Sequence, residues 1–159
     1  MSYFLRIFCK TSNAVTRRDL ANFISEGSYF ENKLLFEPNL DVSESNSEDW
    51  QSFTVQYQTD KRPVIFERNM GDGLLQQEIK ELIFILEKSK KTKAQQEVLR
   101  RIQESTQVIS IEIAPDSLTN DAWEMLDSVE SYIAQKCDGI IYAPDEGFYD
   151  KKLQKIYKL

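Results

Sequence analysis

Tyr3, Leu5, Ile7 and Cys9 fall on one side of residues 3–9, the period-2 pattern of a strand. Thr16-Arg17-Arg18-Asp19 then forms an [ST]-x-x-[DE] helix start. In such a start the threonine hydroxyl accepts from an orphan amide, and the aspartate sits in the favourable first turn. Leu20, Phe23 and Ile24 follow at helical spacing, and Gly27 supplies a stop. Residues 29–36 pattern as a weaker strand. Residues 37–49 are polar and acidic, with Pro38, Asn39 and several serines, and read as a loop. Phe53, Val55 and Tyr57 alternate with polar residues, the cleanest half-buried strand of the chain. A turn at 59–63 returns Val64, Ile65 and Phe66 as its hairpin partner.

Beyond Gly71-Asp72-Gly73, Leu75, Ile79, Leu82, Ile83 and Leu86 make an apolar stripe at helical spacing. Residues 88–93 interrupt it, and Val98, Leu99 and Ile102 resume it, so the pattern predicts two helices or one with a polar break. Ile109, Ile111 and Ile113 alternate as a strand that Pro115 ends. A helix is expected over 119–137, with Ala122, Trp123, Leu126, Val129, Ile133 and Cys137 facing the core. Residues 139–143 read as a short last strand. The tail 144–159 begins with a turn and ends with Leu153, Ile156 and Tyr157 at helical spacing. This order predicts a single α+β domain over 1–159. Its sheet is mostly antiparallel, because hairpins need no crossover, with helices packed on one face in an elaborated ferredoxin-like plan.

Composition narrows the function classes. The 159 residues are 41% hydrophobic, enough for one globular domain with its own core. There is no histidine, which removes Ser-His and Cys-His catalysis and His-ligated metal. No apolar run approaches the roughly 20 residues of a membrane span. Arg6 and Lys10 break up the first apolar stretch, so no secretory leader and no membrane association are expected. Cys9 and Cys137 are expected to be buried free thiols of a cytoplasmic protein.

The net charge of −6 and a pI of about 4.8 argue against nucleic acid as the partner. Charge is also unevenly spread. Residues 88–101 carry six basic side chains against Glu97 alone, and residues 112–150 carry ten acids against Lys136 alone. The acidic block points to a protein with a basic surface. As an alternative, the basic block would receive an anionic small ligand in a sensor domain.

Motifs for chemistry are lacking. After Gly71-Asp72-Gly73 the third glycine of a phosphate loop is replaced by Gln76, so a turn-and-cap role is expected. Neither a Walker A nor a G-x-S-x-G, C-x-x-C or H-E-x-x-H signature occurs. The segment from Asp145 to Asp150 lacks the acid spacing of a calcium loop, so no metal and no cofactor are expected. These readings predict a non-enzymatic binding module. The predicted partner-binding residues are Glu124, Asp127, Asp138, Asp145, Glu146, Phe148, Tyr149 and Asp150. Phe148 and Tyr149 would supply an aromatic anchor inside a charged rim.

Residues 108–150 also carry a resemblance. A strand leads to an acidic helix containing Trp123, then to Asp138-Gly139-Ile140-Ile141 and Glu146-Gly147-Phe148-Tyr149-Asp150. This stretch resembles the C-terminal half of small ferredoxin-like bacterial proteins of unknown function, some assigned as immunity partners of bacterial toxins. The resemblance implies a cytoplasmic, non-enzymatic binder and names no target.

Overall fold

The structure is a computed structural model and describes residues 2–13, 15–40, 46–71 and 73–159. Residues 41–45 of the acidic loop and Asp72 of the glycine turn therefore lie outside the described residues. The chain runs β1 (Tyr3–Cys9), α1 (Arg17–Glu26), β2 (Leu35–Glu37), β3 (Ser52–Gln56), β4 (Val64–Met70), α2 (Gly73–Glu87) and α3 (Lys93–Gln103). It continues through β5 (Gln107–Ile113), α4 (Asn120–Cys137), β6 (Gly139–Ala143), β7 (Gly147–Tyr149) and β8 (Lys155–Lys158). All eight strands join one antiparallel sheet in the order β2-β3-β4-β5-β1-β6-β7-β8.

The α+β class and the antiparallel pairing are those expected from the sequence. The Thr16 capping box forms as read, with Thr16 and Asp19 bonding each other's backbone amides, and Gly27 ends α1. The β3–β4 hairpin also forms, and the stripe after Gly73 is two helices.

The packing of all helices on one face is corrected. α1 and α4 cover one face, where Leu20, Ile24, Leu126, Val129 and Ile133 meet Leu5, Ile7, Ile111 and Ile141. α2 and α3 cover the other, where Leu75, Leu82, Val98 and Ile102 meet Phe8, Val108, Ile140 and Tyr142. The cause lies in the central strands. β6 is buried at all five positions and β5 at six of seven, so both of their faces need apolar cover.

The tail is corrected too. Ile156 and Tyr157 lie in strand β8, which pairs with β7, rather than in a helix. The hairpin between them is close-fitting at Gly147, where a Cβ would stand 2.1 Å from the Tyr157 carbonyl oxygen and φ is +143°. Only glycine fits there. Of the strand expected over 29–36, only the short edge strand β2 exists.

Cys9 and Cys137 are not free thiols. They form a disulfide with a Cα–Cα separation of 5.2 Å, joining the central strand β1 to the end of α4. Side chains at these two ends are brought together because α4 lies directly against β1 and β6. Among the described residues no helix is long and apolar enough to cross a membrane.

Candidate functional site

α4 has a capped start at Thr119, whose hydroxyl accepts from the Ala122 amide. Its sheet-facing side buries Ala122, Met125, Leu126, Val129, Ile133, Ala134 and Cys137. Glu130 stands in phase with that apolar stripe, one turn after Leu126. It is 5% exposed. Beside it a cleft of about 290 Å³ opens between α4, the ends of β1 and β6, and the turn into β7. Leu5, Ile141 and Ala143 form its apolar floor, and Trp123 and Tyr149 stand as aromatic walls. Asp127 and Glu146 occupy the exposed rim.

The electrostatics of this cleft are one-sided. Burial, and after it the charges of Asp127 and Glu146, push the Glu130 carboxyl up to about 8. Burial and Glu146 also raise Asp127 above the usual carboxylate range. Glu146 is held from two sides. The Tyr149 hydroxyl donates to its Oε1 at 3.2 Å, and the Tyr3 hydroxyl lies 3.4 Å from its Oε2 while donating to the Pro144 carbonyl at 2.9 Å. Burial and Glu146 raise the Tyr3 phenol well above its ordinary value, so it stays a donor. Among the described residues no cation forms an ion pair with Asp127, Glu130 or Glu146. The ammonium of Lys155 lies 5.4 Å from the centre of the Tyr149 ring and pairs with none of them.

The cleft does not stand alone on the helix. A second hollow of about 390 Å³ shares Asp127 and Leu153 with it and continues along α4 past Ser128, Ser131, Tyr132 and Gln135. The two hollows adjoin at Asp127 and Leu153, a shallow groove along α4 whose acidic pit is the first of them.

Three of the eight expected partner-binding residues, Asp127, Glu146 and Tyr149, come together here. Glu124 is exposed on the same helix and Asp145 in the adjoining turn, with φ +65°, and neither lines the cleft. Asp138 lies roughly 12 Å further along α4 than Glu130. It caps the helix end in the left-handed conformation, 3.7 Å from Arg101. Asp150 works inside its own turn, accepting from the Lys152 and Gln154 amides at 2.9 Å.

Phe148 is the correction in this set. It is 0% exposed and packs against Tyr142 at 5.0 Å on the α2–α3 side. Because neighbouring strand residues point to opposite faces, Phe148 and Tyr149 cannot form one exposed pair. Trp123, expected in the core, is instead 37% exposed and walls the cleft.

Three of the six basic side chains of residues 88–101 have partners of their own. Arg100 pairs with Glu97 and Glu104, Arg101 donates to the Asp138 carbonyl at 3.1 Å, and Lys88 sits over the Phe84 ring. Among the described residues, no group of three or more Asp, Glu, Cys or His side chains is arranged to hold a metal ion. No protein-family model, curated protein or solved structure matches this chain.

Proposed function

We propose that this chain is a non-enzymatic, acidic binding module that holds a protein with a basic surface along α4, as an immunity-type inhibitor would. The observation that carries the reading is the groove beside α4 with unpaired carboxylates at one end. Two adjoining hollows along one helix suit a polypeptide segment. Its negative pit and the exposed Glu124 and Asp127 favour a positive one. The resemblance of residues 108–150 to ferredoxin-like toxin-immunity proteins is part of the same proposal.

A cytoplasmic setting goes with it as well. The Cys9–Cys137 bond argues the other way, because disulfides persist chiefly in oxidising compartments. Thiol labelling in fresh cell extract decides between the two.

The binding test is a titration with a lysine-rich peptide at rising salt. Affinity should fall steeply with ionic strength. Glu124→Lys combined with Asp127→Lys should weaken it by roughly tenfold or more while leaving the melting temperature nearly unchanged. Equal binding by this variant, or binding indifferent to salt, overturns the reading.

A further inference from the structure

A basic partner carries many charges, yet the pit beside Glu130 has room for one. At about 290 Å³ it lies at the small end of the ~300–1,000 Å³ that takes a whole small molecule. Its contents are unusual in a second way. Buried polar groups almost always find a partner. Here Glu130, a residue 5% exposed, turns its carboxyl to the open cleft, where water can reach it, and among the described residues nothing donates to it. Its neighbours cannot help. Asp127 on the same helix and Glu146 in the β6–β7 turn are acids themselves. The hydroxyls of Tyr149 on β7 and Tyr3 on β1 are directed to Glu146 and Pro144.

The surroundings define what is missing. Leu5, Ile141 and Ala143 offer a floor for an alkyl stem, and the Trp123 and Tyr149 rings offer faces that attract a cation. The acids do not close into a metal-holding group. We infer that this cleft is a binding site for a single alkylammonium or guanidinium group, with Glu130 as its counter-ion, so that the partner presents one lysine or arginine side chain here. The inference rests on the basic-partner reading above and narrows it to one residue of that partner.

Binding is then coupled to a proton. Without a cation Glu130 keeps its proton through neutral pH. When the cation enters, the carboxyl O–H bond breaks, the proton leaves to solvent, and the carboxylate remains as the counter-charge. Affinity must therefore climb with pH until Glu130 is ionised in the free protein.

The test titrates the whole protein with Nα-acetyl-lysine amide and Nα-acetyl-arginine amide, and with Nε-acetylated lysine amide as a neutral control. Backbone amide shifts of α4 and the indole N–H shift of Trp123 report binding. One or both charged amides should bind saturably, roughly tenfold or more tighter at about pH 8.5 than at about pH 5.5, and the control should not. Glu130→Gln, close in shape, should lose roughly tenfold at the higher pH and lose the pH dependence. Glu146→Gln, on the rim and tolerant of change, should lose affinity by a smaller factor while keeping the dependence.

Charged amides that bind no better than the control, or undiminished binding by Glu130→Gln, overturn the inference. If that happens while the lysine-rich peptide still binds through Glu124 and Asp127, the basic-partner reading survives without the pit. If the amides bind and no basic polypeptide does, the pit survives and the partner reading falls.

Discussion

Glu78 on α2 and Glu130 on α4 are both half-buried or deeper glutamates on helices that cover opposite faces of one sheet. Burial raises both carboxyls. Their partners differ. Arg6 reaches up from the middle of β1 and places its Nε 3.2 Å from Glu78 Oε1, pulling that carboxyl back down, although Glu78 Oε2 stays buried without a hydrogen-bond partner. Toward α4 the same strand turns Leu5 and Ile7, and among the described residues no cation is supplied there. An acid answered from within the fold belongs to the architecture. One surrounded by other acids beside an open cleft has to be answered from outside or stay protonated.

The sharpest way to break this contrast is through pH. In the free protein Glu130 titrates near 8, against about 4.5 unfolded, so the folded state binds the extra proton between those values. Stability should fall as pH rises across that window, by something of the order of 3–5 kcal/mol. Glu130→Leu, which completes the apolar stripe of α4, should abolish the fall and be most stabilising above pH 8. Urea midpoints measured from about pH 4.5 to 9 check this. Parallel curves for the two proteins would remove Glu130 from the account.

The opposite manipulation is Arg6→Met, which leaves Glu78 without its cation. A loss of about 2 kcal/mol is expected near neutral pH, below the figure for a fully buried pair because both side chains are partly wet. Removing Arg6 raises the Glu78 carboxyl further, so the folded state again holds its proton more tightly than the unfolded chain. The loss should therefore shrink as pH falls toward the ordinary glutamate range, and unfolding at about pH 4 and 7 measures it.

A smaller effect is expected at Asp150, an acid that serves its own turn rather than the cleft. Asp150→Ala frees the Lys152 and Gln154 amides and should cost about 1 kcal/mol in thermal unfolding. Least of all, Glu124→Lys should leave stability within about 0.5 kcal/mol, since the side chain is exposed and unpaired.

Local signals were legible where one residue answers another nearby. Thr16 with Asp19, the alternation of Phe53 and Val55 with Tyr57 just past the strand end, and the stripe of α4 apart from Trp123 correspond to elements as they stand. The missed features depend on distant neighbours. Leu153, Ile156 and Tyr157 have helical spacing, yet pairing with β7 draws the last two into a strand. Cys9 and Cys137 are 128 positions apart, and nothing around either one signals the other.

Two signals are present in the sequence itself. The unbroken apolar run Ile140-Ile141-Tyr142-Ala143 marks a strand covered on both faces, which calls for the second helical layer. Glu130 falls four residues after Leu126 and three before Ile133, a charge at a core position of α4. Counted only as one more acid in a negative block, it loses its meaning. Counted by helical phase, it leads to the cleft.

The bond between Cys9 and Cys137 closes residues 9–137 into a covalent ring, with the rest of β1 before it and the last three strands after it. A single backbone cut anywhere between β2 and β3 would therefore release no fragment. The nicked protein should migrate as one band on a denaturing gel until a reductant is added, and only then as two. In the native state the shorter piece would also stay in place without the sulfur bridge, because its β1 is zipped between β5 and β6.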